Sequence, residues 1–194
     1  NNVPSAAVIK DASDNDVTSN YNISYANGTL EVTQLAIEIT ADSDTKVYDG
    51  TALTNTGSSL TNSTSLVTGH SYTATVTGTQ TAVGTSNNVP SAAVIKDASD
   101  NDVTANYNIS YANGTLEVTV RPLEITADNV SKTYGTAYTF TNTEYSFTSS
   151  TSLVQSHSMS LDLSSTGTGA SAVVGTYDID LANVKIEDNG MDVT

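Results

Sequence analysis

Asp97, Asp100 and Asp102 stand in the string DASDNDVT, and the same string recurs at Asp11, Asp14 and Asp16. Oxygen-rich loops supply several hard ligands to calcium, so each trio is a candidate calcium site. Asp42 and Asp44, at the start of a repeat, could join such a site from a neighbouring unit and stiffen the junction. The loop lacks the invariant Gly and the distal Glu of an EF-hand. The competing expectation is a solvated turn in which Asp and Asn bond their own backbone.

The two histidines, His70 and His157, occupy matching places in LVTGHS and LVQSHS. A general base paired with Ser or Asp is the chemistry such a residue offers. Neither stands near a GxSxG elbow or an HExxH helix, so the plainer expectation is a turn histidine at a strand start, with no catalytic residue in the chain. Lys46, Lys96 and Lys132 are the candidates for an isopeptide cross-link to an Asn or Asp. Two of them, Lys46 and Lys96, flank turn residues, where a solvated ammonium is the simpler reading. Asn108 and Asn113 begin Asn-x-Ser/Thr strings, which matter only where a glycosylation system exists. Tyrosines of the same segment could stack on sugars, although their alternation points them at a core. Regular short-period Thr ladders for an ice- or polymer-binding face are absent.

The elements that must position these groups are bounded by composition. The chain has 194 residues, 6 Lys+Arg against 21 Asp+Glu, a formal charge of -15, no Cys and no Trp. So few cations form no phosphate-binding patch, which excludes nucleic acid as an expected partner and disfavours anionic membranes. The absence of Cys removes disulfides and thiolate chemistry. Apolar runs such as Ala92 to Ile95 are far short of the ~18 residues a membrane helix requires. Thr and Ser make up about 29% of the residues, a composition suited to strands and turns. The expected class is mostly β, acidic and soluble.

Residues 1 to 33 and 87 to 119 are the same string with one change, Ser19 for Ala105, at a period of 86. That period exceeds single solenoid units and suits a small domain. A diverged copy begins at Leu123, where LEITADNVSKTYGTAYT follows IEITADSDTKVYDGTALT. It ends with IEDNGMDVT at the level of DASDNDVT, without a counterpart of NYNISYANGTLEVT. The expected domains are therefore 1–35, the C-terminal part of a repeat; 36–120, one complete repeat; and 121–194, a diverged repeat lacking its final hairpin. The chain reads as an excerpt from a longer protein, with strand edges at its ends that invite pairing with a neighbouring chain.

Within one repeat, YNISYANGTLEVT predicts a β-hairpin: Tyr107, Ile109 and Tyr111 alternate with polar residues, Asn113-Gly114 turns, and Leu116 and Val118 alternate again. Tyr72, Ala74 and Val76 share one strand face, as do Ile37 and Ile39. SAAVI from Ser91 predicts a short buried or edge strand, Tyr48-Asp49-Gly50 a turn, and Thr64 to Val67 at most a short helix. At the junctions LEVT runs into QLAIEIT and into VRPLEIT with no flexible spacer, and Pro122 stiffens the second one.

Tyr48-Asp49-Gly50 after Lys46-Val47, the stretch GHSYTATVTGTQTAVGTSNN, DVTANYNIS and the closing NGTLEVT together resemble the tandem YDG and MBG (mostly β-grasp) repeats of large bacterial cell-surface proteins, particularly Gram-positive ones. KTYGTAYT and VVGTYDID of the last repeat look closer to the MBG version, and this repeat departs by losing one residue in its Tyr134-Gly135 turn. The resemblance implies small β-grasp-like or β-sandwich-like domains of about 86 residues, joined end to end as an extended rod. It implies an extracellular, cell-wall-anchored adhesin stalk that is not an enzyme and requires no cofactor, calcium being the possible exception. Its expected partners are adjacent repeats in cis and a distal adhesin domain of the same protein. The alternative expectation is that each repeat binds a host glycan or protein and gains strength by avidity. Divergence of the third copy favours the spacer.

Overall fold

The computed structural model describes residues 2–61, 65–148, 152–154 and 156–193. The fold is mostly β, with 43% of residues in strands. Its strands are β1 (Leu35–Ala41), β2 (Asp44–Val47), β3 (Ser58–Thr61), β4 (Ser71–Thr77), β5 (Gly84–Lys96), β6 (Tyr107–Ala112), β7 (Gly114–Thr119), β8 (Ile125–Ala127), β9 (Tyr145–Phe147), β10 (His157–Ser164), β11 (Asp180–Asp188) and β12 (Met191–Asp192). Single 3-10 turns cover Thr18–Asn20 and Thr104–Asn106. Among the described residues no helix is long and apolar enough to cross a membrane.

The strands form four small sheets, ordered β3-β1-β6, β2-β7-β5-β4, β10-β11-β12 and β8-β9. Two compact units partition the chain. One comprises Asn1–Glu38, Thr61–Thr73 and Ala93–Ser110 and holds both Asp loops. The other comprises Ile39–Leu60, Ala74–Ala92 and Tyr111–Thr194. Its core includes Leu53, Leu116 and Val118, with Tyr48 packed against them.

The alternation read from the sequence is realised in β1, where Ile37, Ile39 and Ala41 are buried, and in β4, where Tyr72 and Ala74 are half-buried and Val76 is buried. In β7 the string GTLEVT buries Gly114, Leu116 and Val118 and exposes Thr115 and Glu117. Strand β7 runs parallel to β2, with Asp44 opposite Leu116 and Lys46 opposite Val118. It runs antiparallel to β5, with Gly84 opposite Val118 and Asn88 opposite Gly114. SAAVI is the end of the 13-residue β5, beyond the Gly84 to Asn88 stretch that pairs with β7; in it Ile95 is buried and Ser91, Ala92 and Val94 are exposed.

The expected hairpin is overturned. Both of its strands form, but β6 pairs in the sheet of β1 while β7 joins β2 and β5, so the two are not partners. A two-residue type I′ turn needs positive φ at both central residues, and neither Asn113 nor Gly114 has it. Gly114 serves close packing instead: a Cβ there would lie 2.5 Å from the Ala41 and Asp42 carbonyl oxygens. The real Asn-Gly hairpin is Asn189-Gly190, with φ of 49° and 84°, which joins β11 to β12 with Asp188 opposite Met191. Ser65 to Val67 are not helical, and Thr64 lies outside the described residues.

The third repeat keeps part of this plan. Strand β8 pairs with β9, Ile125 opposite Phe147, and β10 pairs with β11, His157 opposite Asp188. Asp128 N–H donates to the Glu144 carbonyl at 2.9 Å, just as Asp42 N–H donates to that of Gly57 at 3.0 Å. Residues 130–133 and 175–179, which align with β2 and with the β7-paired start of β5, are in no strand.

Candidate functional site

The Asp loops fold on themselves. Asp97 Oδ1 accepts the Ser99 and Asn101 N–H groups, each at 2.9 Å, and the Asn101 amide reaches Oδ2 at 3.0 Å. Asp102 Oδ1 accepts Thr104 N–H at 2.9 Å and starts the 3-10 turn. Asp100, at φ 67°, pairs with Lys96 Nζ at 2.9 Å. The Asn101 side-chain amide, then the loop N–H groups, hold the Asp97 carboxyl below the ordinary carboxylate range, and Thr104 does the same for Asp102. Asp11, Asp14 and Asp16 repeat the arrangement through Ser13, Asn15, Lys10 and Thr18. Asn15 and Thr18 lower Asp11 and Asp16 in turn. At Asp44 the carboxylate accepts Thr45 N–H at 2.8 Å. Among the described residues no three His, Asp or Glu side chains converge as a metal-ligand set. A cation at either trio would compete with the loop's own donors.

Each histidine meets a tyrosine. His70 Nδ1 lies 2.6 Å from Tyr107 Oη, which also accepts Val67 N–H at 3.2 Å. His157 Nε2 lies 3.2 Å from Tyr48 Oη, with ring centroids 5.7 Å apart. His70 thus bonds within its repeat, whereas His157 bonds the preceding one. At the same junction Arg121 Nε donates to the Ser152 carbonyl at 2.9 Å and Nη1 reaches the Tyr48 carbonyl at 3.5 Å.

Lys46 Nζ donates to Asp49 at 2.7 Å and to the Thr51 carbonyl at 2.5 Å, an arrangement that makes the Tyr48-Asp49-Gly50 turn. The Lys46 ammonium drives the Asp49 carboxyl far below its usual range, helped by Thr51. Lys132, at the aligned place, donates to the Thr136 carbonyl at 3.1 Å and to that of Gly169 at 2.9 Å. Asn108 and Asn113 are exposed. Of the tyrosines read as core-facing, Tyr107 is buried and Tyr111 is exposed.

The feature that motif reading missed is a groove of about 660 Å³ in the third repeat. Val130, Lys132, Tyr177 and Ile179 line it together with Tyr138 and Phe140, whose rings meet edge-to-face at 5.2 Å. Glu144 fixes this wall: its carboxylate accepts the Thr141 N–H at 3.0 Å, the Thr141 hydroxyl at 2.8 Å and Tyr138 Oη at 3.2 Å. The Thr141 backbone bond is the chief cause lowering the Glu144 carboxyl to about 2. Desolvation, followed by the Glu144 charge, raises the Tyr138 hydroxyl. Comparison with protein-family models, with curated proteins and with solved structures found no match to this chain.

Proposed function

We propose that the chain is a run of non-enzymatic stalk repeats from a bacterial surface adhesin, tandem β-grasp-like domains that hold a distal ligand-binding domain away from the cell. The observation that carries this reading is the near-identity of residues 1–33 and 87–119 at a period of 86, which multiplies one small β unit without adding a distinctive reactive motif. The short junction supports it: Arg121 and the Tyr48–His157 pair bond the middle repeat to the third, which reduces the freedom of a three-residue connection. Separation of like charge along an acidic array favours extension as well. The parallel pairing of β2 with β7 beside antiparallel β5 suits a β-grasp-like unit.

Small-angle X-ray scattering on proteins of two and four complete repeats, with calcium and with EDTA, tests the proposal. The maximum dimension is expected to grow linearly with repeat number. Compact or broadly flexible particles would remove the spacer reading. A length that requires calcium would assign Asp97, Asp100 and Asp102 to an ion.

A further inference from the structure

We propose that the middle repeat is built to carry tension along the chain, with the parallel pair β2–β7 as the element that resists it. Strand β2 lies near the start of the repeat and β7 at its end, and the chain continues beyond both. The two pair in parallel over four positions, Asp44 opposite Leu116, Thr45 opposite Glu117, Lys46 opposite Val118 and Val47 opposite Thr119. Tension therefore enters the pair at the N-terminal end of β2 and leaves at the C-terminal end of β7, at opposite ends of the ladder. It draws the two strands past each other along their length. In that geometry the evenly spaced bonds of a parallel ladder are strained together and share the load. An antiparallel pair pulled apart at adjacent ends opens one bond after another instead.

Bonds beyond the ladder lengthen the pair. At one end Ser43 Oγ accepts the Thr115 N–H at 3.0 Å. At the other, Tyr48 N–H donates to the Thr119 carbonyl at 2.9 Å, Thr119 Oγ1 donates to the Lys46 carbonyl at 3.3 Å, and Arg121 Nη1 reaches the Tyr48 carbonyl at 3.5 Å. Leu116 and Val118 are buried and cluster with Leu53 and Tyr48, so water has little access to replace a bond as it stretches. On its other flank β7 is held by β5, from Gly84 to Asn88, a strand that tension does not enter first. Lys46 fastens the turn after β2 through Asp49 and Thr51. In the first unit a like spacing recurs between β1 and β6, which are neighbours in their sheet. There Gln34 Nε2 donates to the Ala105 carbonyl at 2.9 Å and Ser110 Oγ to the Ile37 carbonyl at 3.1 Å, with partners 71 and 73 positions apart beside 72 for Ser43 and Thr115.

This role deepens the stalk reading, on which it rests: a spacer spans a distance, and a tether must also resist a pull. Scattering reads the first and rupture force the second, so either can fail alone.

The chain has no Cys, so two introduced thiols define a pulling axis. Asp44→Cys with Val120→Cys draws β2 and β7 past each other. Val83→Cys with Val120→Cys draws apart the adjacent ends of β5 and β7, where Gly84 stands opposite Val118, and unzips that antiparallel pair. Asp44, Val83 and Val120 are exposed, so the substitutions leave the core untouched. The experiment is single-molecule force spectroscopy of both double variants of the 194-residue chain at one loading rate. Rupture force reports the barrier along the pulled direction rather than the equilibrium stability the two variants share. The number of residues between the thiols fixes the length released, which identifies each event. A rupture force several-fold higher along the 44–120 axis than along the 83–120 axis is the expected result. Equal forces, or a weaker 44–120 axis, overturn the proposal.

Discussion

Leu30 and Leu116 hold the same place in the same NGTLEVT string, and Leu30 is 77% exposed while Leu116 is fully buried. Their neighbours in sequence are identical, so the difference comes from partners far along the chain. Leu116 has Asp44 of β2 opposite it on one side and Ser86 of β5 on the other. Of the corresponding β5–β7 pairing, the first copy shows one bridge among the described residues, Asn2 with Gly28, at the place where Asn88 meets Gly114. Tyr21 and Tyr107 repeat the contrast, at 57% and 4% exposure.

The same substitution made at each place should therefore have two different costs. Leu116→Ala removes a buried side chain and leaves a cavity, which destabilises by about 2–5 kcal/mol. Leu30→Ala falls within about 0.5 kcal/mol, as exposed positions do. Paired urea titrations of the two variants measure the difference. Equal midpoints would mean that the first copy is folded as the second is.

What was legible in the sequence divides along the same line between local and distant causes. The Asp loop reads correctly because its bonds span two to four residues, and it forms identically at Asp11 and Asp97 with no help from the sheet. The faces of β1, β4 and β7 were visible in their period of two. The pairing of β6 and β7 was not, because Asn113-Gly114 carries the short-range signature of a hairpin while the sheet demands a glycine against Ala41 and Asp42. The aromatic wall of the groove was not legible, since Tyr138 and Tyr177 stand where the middle repeat has Leu53 and Ser86 and belong to no motif that marks a groove.

Backbone protection should follow the pairing. Amides of β7, between two strands, are expected to exchange with deuterium slowly, at free energies near global unfolding, and those of residues 28 to 33 at rates near the free chain. Residue-resolved exchange by NMR distinguishes the two copies despite their common sequence. Comparable protection in residues 28 to 33 would show that they already occupy a sheet.

Asn88 is a fully buried polar side chain that bridges segments of the second unit. Its Nδ2 donates to the Asp42 and Asn55 carbonyls, both at 2.9 Å. Asn88→Ala removes both bonds, at about 0.5–1.5 kcal/mol for each. Asn2→Ala, at the aligned exposed place, should lie within about 0.5 kcal/mol. Thermal unfolding of both variants settles the comparison, and a harmless Asn88→Ala would mean that water replaces the amide.

Acid should loosen the groove wall as Glu144 takes its proton. Glu144 moves from an ordinary 4.5 to about 2, chiefly through the Thr141 N–H, so the folded state favours its ionised form. A depressed carboxyl contributes stability that is fully present above pH 4.5 and is lost as pH falls through about 2. The Thr141 amide and Tyr138 ring resonances are therefore expected to titrate with a midpoint near 2 in an NMR pH series, and Glu144→Gln should flatten both curves. A midpoint near 4.5 would show that the carboxylate is not held by Thr141 in solution, and that the wall of the groove owes nothing to it.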